Sequence, residues 1–224
     1  MSFDLGAATE YFPVLMLGLF TTLTLTGWAF VIGIAVGLVA AMARLSRPRV
    51  LRIVSSAYVD FFRTTPALVQ IFWVFFVLPL MIGRDIDAYS ASVIALGLNT
   101  GAFMAEIFRA GVLGVDRGQV DAADVLGLRP VQRFRYIVLP QALRIVLPAI
   151  AATTMLLLKG TSLAAAISVG ELTYKATLVT LISGRFFEIF TLAALIYIAV
   201  IVPIGLGTSL LERQLRASER LATR

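Results

Sequence analysis

The sequence of 224 residues contains neither cysteine nor histidine. Without cysteine, the chain can form no disulfide and offers no thiolate to a metal ion or a substrate. Without histidine, it lacks the commonest general base and the commonest metal ligand of proteins. Embedded carboxylates are also few, so a membrane enzyme is the least favoured class. We predict no catalytic residue and no metal site.

Charged residues are scarce, at 14% of the chain, whereas hydrophobic residues make up 59% and the mean hydropathy is +0.93. A soluble domain of this length needs more surface charge. Apolar runs of about 20 residues recur, and this length crosses ~30 Å of hydrocarbon. The composition predicts an all-α integral membrane protein with a single domain, residues 1–224. The net charge of +6 then reflects topology and does not indicate nucleic-acid binding.

Five membrane spans are predicted. The second is interrupted at Thr64-Thr65-Pro66, where the missing amide and the ring of proline should bend the helix. The segment 170–188 is either re-entrant or a surface helix, and the charged tail, residues 212–224, is expected to lie on the membrane surface. The five spans cover approximately residues 13–43, 57–82, 88–112, 145–169 and 189–211.

The distribution of arginine predicts the orientation. Arginines concentrate in the segments that follow the first and third spans and in the tail, whereas the opposite side has few basic residues. Basic loops remain in the cytoplasm, so the N-terminus is predicted outside and the C-terminus inside. The longest cytoplasmic loop is then residues 113–144.

This loop has the pattern of a short helix. Asp121–Leu126 is predicted to form about two turns, with acidic side chains at the positive end of the helix dipole. Gly127 suits the position after the last turn, and Pro130 should prevent continuation. Ala122 and Ala123 are small, so the helix can lie close against another surface. A solvated loop with an interfacial helix is the alternative.

The loop resembles the cytoplasmic signature of ABC-importer permeases. In that signature, Glu-Ala-Ala is followed after three residues by glycine and after nine more by Ile-x-Leu-Pro. An aspartate replaces the glutamate here. The resemblance implies that the matching positions couple the chain to an ATPase: Asp121, Ala122, Ala123, Gly127, Ile137, Leu139 and Pro140.

Three more segments, Phe61–Gln70, Leu98–Arg109 and Lys159–Leu163, look like the permeases of the polar amino-acid uptake family, of the histidine, glutamine and arginine type. That family usually has glycine at position 64 and aspartate at position 160, so Thr64 and Gly160 are departures. The resemblance implies a type I ABC-importer permease fold in the bacterial cytoplasmic (inner) membrane. It also implies an ATP-driven importer of polar amino acids, in which this chain forms the translocation path.

The expected partners are a cytoplasmic ABC ATPase dimer, a second permease subunit, identical or homologous, and an extracytoplasmic solute-binding protein. The chain has no Gly-x-x-x-x-Gly-Lys-Ser/Thr motif, so ATP and Mg²⁺ are expected on the ATPase and no cofactor on this chain. Import of opines or zwitterionic osmolytes by the same machinery is an alternative, and an ion-coupled secondary carrier is a more distant one.

Polar residues inside a span are costly and commonly face a cavity or a partner. Structural alternatives are an interhelical hydrogen bond for Asn99 and fixed ion pairs for Glu106 with Arg109 and for Asp60 with Arg63. The missing aspartate at Gly160, beside a lysine, favours an acidic, neutral or zwitterionic solute over a basic one. The residues predicted to line the translocation path are Thr65, Gln70, Asn99, Glu106, Lys159 and Ser162.

Overall fold

The computed structural model describes residues 10–222, with side chains described as far as residue 208. Within this part, all regular secondary structure is helical. The helices, numbered here in chain order, are α1 (Phe12–Leu45), α2 (Arg49–Thr64), α3 (Ala67–Ile82), α4 (Ala88–Leu113), α5 (Arg117–Val125), α6 (Pro130–Ile167), α7 (Leu172–Ser183) and α8 (Phe186–Ala222).

Four of the described helices, α1, α4, α6 and α8, are each long and apolar enough to cross a membrane. Helices α2 and α3 together form one more candidate span, bent by 109° at a short break. The total of four or five agrees with the five predicted spans. Helix α7, with 12 residues, is shorter than the ~20 residues that a span needs.

The bend between α2 and α3 lies where the sequence predicts it. Thr65 and Pro66 both have extended backbone conformations between the two helices. The predicted start of this span at residue 57 is wrong, since α2 begins at Arg49 directly after Pro48. Helix α2 carries many polar residues, and it meets the hydropathy criterion of a span only together with α3.

Two prolines lie just after wide, π-helical turns. The turn Trp73–Val77 precedes Pro79 in α3, and the turn Phe134–Val138 precedes Pro140 in α6. A proline ring clashes with the carbonyl four residues before it, and a wider turn relieves that clash. The chain therefore stays helical through Pro140.

Helix α6 also begins earlier than predicted. Helix α5 does not continue through Pro130, as predicted, but Pro130 is the first residue of α6, whereas the fourth span is predicted to start near residue 145. Proline is favoured at this position because its missing amide has no helical partner there. Much of the predicted loop 113–144 is therefore helix.

The core of the bundle is the contact between α1 and α4. A side-chain carbon added at Gly37 of α1 would lie 2.5 Å from Cβ of Met104 and 2.9 Å from the carbonyl of Gly101, both on α4. The two backbones thus approach closely, as small residues allow in membranes. On its other side, α4 packs against α6, where Gly111 faces Val146.

Helix α7 packs between α1 and α8, within the predicted mixed segment 170–188. Leu172 and Ala176 are fully buried in a cluster with Leu15 of α1 and Ile189 of α8. Burial on two sides favours the re-entrant interpretation over a surface helix.

Candidate functional site

The loop between α4 and α6 contains helix α5, which begins at Arg117 and not at Asp121. Asp116 is its N-cap, and the side chain accepts a hydrogen bond from the amide of Gly118 at 2.7 Å. This bond satisfies an amide that has no helical partner. The prediction that Asp121 occupies the positive end of the helix is wrong, because Asp116 takes that place and Asp121 lies inside α5.

The end of α5 is closed around Gly127, as predicted. The amide of Gly127 donates to the carbonyl of Asp124 at 3.0 Å, and the amide of Leu128 donates to the carbonyl of Ala123 at 3.1 Å. Gly127 has a φ of +72°, a conformation that glycine adopts at little cost. The two bonds give α5 a defined end and direct the chain into α6.

The side chains of α5 and of the turn that follows it differ widely in exposure. Ala123 is 2% exposed, whereas Ala122 is exposed, so only one of the two alanines packs against the chain itself. Val125, Leu126 and Val131 are 88%, 77% and 76% exposed. Apolar side chains this exposed, grouped around the turn between α5 and α6, indicate a docking surface. We call Val125, Leu126 and Val131 the apolar tip.

Helix α5 contacts the start of α6 through a partly exposed ion pair. The guanidinium of Arg133 donates to the carboxylate of Asp124 at 2.7 Å. A small buried cluster of Val115, Val138 and Ala142 joins the chain before α5 to the same part of α6. These contacts connect α5 and its preceding segment to the first turns of α6.

The remaining signature residues lie on α6. Ile137 is half-buried in the π-helical turn, and Leu139 and Pro140 follow it with partly exposed side chains. The signature thus forms two groups, one on α5 and one on α6, on either side of the ion pair between Asp124 and Arg133.

Three of the predicted path residues meet at the break between α2 and α3. The amide nitrogen of Gln70 donates to the carbonyls of Phe62 and Thr65, both at 3.0 Å, and to Oγ1 of Thr65 at 2.7 Å. The amide of Asn99 donates to the carbonyl of Phe62 at 2.9 Å and to Oε1 of Gln70 at 3.1 Å. Gln70 is 5% exposed. These bonds satisfy carbonyls that the break leaves without helical partners.

Glu106 forms ion pairs with two arginines. One is Arg109 on the same helix, and the other is Arg44 in the last turn of α1. The fixed pair with Arg109 is thus present, and Arg44 extends it to a second helix. Arg63 lies over the ring of Phe103, 5.5 Å from its centre, and no ion pair joins it to Asp60 among the described side chains.

The last two predicted path residues, Lys159 and Ser162, lie where α6 changes from an α-helix to a 3₁₀ helix. Lys159 is exposed in the final α-helical turn, and the hydroxyl of Ser162 donates to its carbonyl at 2.8 Å. A side-chain carbon added at Gly160 would meet no atom within 4 Å. The segment Thr161–Ile167 then narrows to a 3₁₀ helix that belongs to the same core as Ile71 and Leu96. There is thus open space at Gly160, next to the cationic residue Lys159.

The sequence analysis missed a fully buried carboxylate, Glu171. It caps α7 by accepting from the amide of Tyr174 at 2.7 Å, and it accepts from the hydroxyl of Tyr197 on α8 at 3.0 Å. The amide of Leu172 donates to Oγ1 of Thr22 on α1 at 3.1 Å. These bonds join α7 to both neighbouring helices. The sequence signal for Glu171 was the position of an acidic residue directly before a helix, where it can act as the N-cap.

Known proteins share this architecture. Residues 33–217 match the family described as binding-protein-dependent transport system inner membrane component. A probable amino-acid ABC transporter permease protein of Vibrio harveyi, PatM, is 39% identical over 90% of this chain and 92% of its own length. The nopaline transport system permease protein NocM of Agrobacterium fabrum is 34% identical, over 88% of this chain and 86% of its own.

A solved structure extends the likeness to three dimensions. The crystal structure of an amino acid ABC transporter with histidines contains a chain that superposes with a TM-score of 0.90 at 34% identity. The match covers 96% of this chain and 100% of that one. The protein is therefore a multi-pass inner-membrane permease subunit of the binding-protein-dependent ABC transport family, and not an enzyme.

Proposed function

We propose that this chain forms half of the translocation path of an importer for polar amino acids, and that a cytoplasmic ATPase dimer drives it through the apolar tip. The observation that carries the proposal is the exposure of Val125 and Leu126 at the end of a helix that an ion pair joins to α6. The relatives with amino-acid permease names support the substrate class.

The contacts within the chain support a route for the motion. ATP, with Mg²⁺, binds to the ATPase, and closure of the ATPase dimer displaces α5. The pair of Asp124 with Arg133 passes the displacement to α6. The close contact of Gly111 with Val146 passes it to α4, and the pair of Glu106 with Arg44 passes it to α1. The spans thus move as one body around the path.

The orientation is part of the proposal. Helix α5, Glu106 and the arginine-rich turn after α1 belong to one end of the bundle, because Arg44 and Glu106 are paired. Basic residues favour the cytoplasmic side, so this end faces the ATPase and the N-terminus lies outside. A second permease subunit completes the pore, and a solute-binding protein delivers the solute from outside.

Within the path, the described side chains have different tasks. Thr65, Gln70 and Asn99 bond to one another and to backbone carbonyls, so they hold the wall of the path at the bend. Lys159 is exposed, and no hydrogen bond or ion pair of its ammonium group is found among the described side chains. Its ammonium group and the space at Gly160 suit the carboxylate of an acidic, neutral or zwitterionic solute.

Import of an opine is the second candidate. Opines carry more than one carboxylate and resemble amino acids, and the nopaline permease NocM is 34% identical to this chain. The exposed lysine on this path suits such a solute.

Uptake into proteoliposomes tests the proposal. The chain is reconstituted with its ATPase and its solute-binding protein, and acidic, neutral and basic amino acids and nopaline are offered in parallel. We expect accumulation of an acidic or neutral amino acid that requires ATP and the binding protein. Uptake that follows a proton gradient without ATP would contradict the proposal, and uptake of nopaline alone would favour the second candidate.

A further inference from the structure

Helices α1 and α2 enclose a groove of about 550 Å³ that belongs neither to the path residues nor to the apolar tip. This volume lies in the range of ~300–1,000 Å³ that is typical of small-molecule sites. One wall is α1, from Ala35 to Ala43, and the other is α2, from Leu51 to Tyr58. Val39, on the first wall, and Val54, on the second, are 68% and 63% exposed, so the groove is open along its side.

The groove is apolar over its whole length. The hydroxyl of Ser55 donates to the carbonyl of Ala40 at 2.8 Å, and the hydroxyl of Tyr58 donates to the carbonyl of Leu98 at 2.7 Å. The hydroxyl groups of both polar side chains in the lining thus donate their hydrogen bonds to backbone carbonyls. Water in such a groove would find few partners, whereas a hydrocarbon chain would lose nothing by entering it.

The turn that connects the two walls of the groove is strongly basic. The two walls are joined by the short turn after α1, and this turn and the first helical turn of α2 contain Arg47, Arg49 and Arg52. All three are exposed, and none has an ion pair or side-chain hydrogen bond among the described side chains. Arg44 differs, because Glu106 already pairs with it. The first turn of α2 contains no acidic residue, so nothing local offsets the three charges.

We propose that this groove binds an anionic phospholipid, with one acyl chain between α1 and α2 and the phosphate against Arg47, Arg49 and Arg52. An acyl chain suits the apolar lining, and the exposed arginines of the adjoining turn suit an anionic headgroup. The proposed orientation places this headgroup in the cytoplasmic leaflet, and only that placement rests on the proposed function.

A second copy of the chain suits the groove less well. In a two-fold interface the same surface faces itself, so three unpaired arginines would approach three others. The charges that attract an anionic lipid would therefore oppose such a dimer.

Lipid selectivity of the full-length chain in nanodiscs tests the proposal. Spin-labelled phosphatidylglycerol and phosphatidylcholine are compared by the fraction of immobilised probe. We expect the wild type to prefer phosphatidylglycerol on the order of tenfold, since each arginine near the surface adds to the attraction. The triple variant R47Q/R49Q/R52Q should lose this preference, whereas R117Q/R129Q/R135Q, which removes the same number of charges away from the groove, should keep it.

Filling the groove gives a second, independent result. Val39→Trp should release both probes, and because Val39 is largely exposed, the melting temperature should stay unchanged. Equal retention of both lipids by the wild type, an unchanged preference in the triple variant, or unchanged retention in Val39→Trp would each overturn the proposal.

The absence of cysteine provides the test for a second copy. Val39→Cys would be the sole thiol of the chain, and a disulfide between two copies in native membranes would show that the groove is a subunit contact. That result would overturn the lipid proposal. None of these three measurements uses the ATPase. A failure of the lipid proposal can therefore be distinguished from a failure of the proposed function.

Discussion

Asn99 of α4 donates a hydrogen bond to Oε1 of Gln70 of α3 at 3.1 Å, and both side chains also bind the carbonyl of Phe62 at the end of α2. A bend of 109° would otherwise leave backbone carbonyls without partners inside the bundle. Two side chains that were candidates for solute contact thus complete the hydrogen bonding of a broken span.

Replacing Gln70 should therefore lower stability more than solute affinity. Gln70→Ala removes the two N–H donors that the carbonyls of Phe62 and Thr65 and Oγ1 of Thr65 share, and an unsatisfied buried carbonyl costs about 1–3 kcal/mol. Thermal unfolding in detergent measures the loss. Gln141→Ala is the control, since Gln141 bonds only to the carbonyl of Ile137 in its own helix. Unchanged melting with a raised KM for uptake would show instead that Gln70 contacts the solute.

Glu106 should be the most sensitive member of its ion-pair triad. Glu106→Gln leaves Arg44 and Arg109 both unpaired, whereas Arg44→Gln leaves the pair of Glu106 with Arg109 intact. We expect the loss of stability from Glu106→Gln to exceed that from Arg44→Gln by about 1 kcal/mol. The charge-swapped variant R44E/E106R should recover part of it. An equal loss for both single variants would contradict this arrangement.

Substitution of Gly127 can separate the effect of backbone strain on stability from an effect on coupling to the ATPase. Gly127 and Gly184 both have positive φ, and an added side-chain carbon meets no atom within 4 Å at either. Alanine should therefore destabilise both positions by about 1–2 kcal/mol. Only Gly127→Ala should reduce stimulation of the ATPase by the liganded binding protein, because Gly184 ends α7, away from the coupling loop. A similar loss of stimulation in Gly184→Ala would indicate a general folding effect.

Gly160→Asp tests the proposed solute preference. The space around Gly160 accommodates the new side chain, and its charge opposes that of Lys159. Competition assays with the same binding protein should show a shift in uptake from acidic towards basic amino acids. Gly160→Asn is the control, since it has the same shape without the charge. A shift of equal size in both variants, or in neither, would remove Lys159 and Gly160 from the account of specificity.

Much of the fold follows from sequence patterns of a local kind. Hydropathy locates the spans, and Pro66 locates the bend. Gly127 locates the end of α5, because a positive φ at a helix end favours glycine. Each of these features depends on residues within a turn or two of one another.

The errors occur where distant residues decide. The partner of Glu106 on α1 and the partner of Glu171 on α8 are far away in the chain. No local pattern indicates such pairs, so the candidate path includes residues whose polar groups bind each other.

The most direct test of the central claim is ATP-driven transport after a change at Leu126, which is 77% exposed at the end of α5. In proteoliposomes with the ATPase and the binding protein, Leu126→Asp should weaken binding of the ATPase at least tenfold, or ~1.4 kcal/mol, and abolish uptake. Leu126→Met, which keeps an apolar side chain of similar size, should transport normally. Uptake and ATPase binding that remain at the wild-type level in Leu126→Asp would contradict the role of the apolar tip.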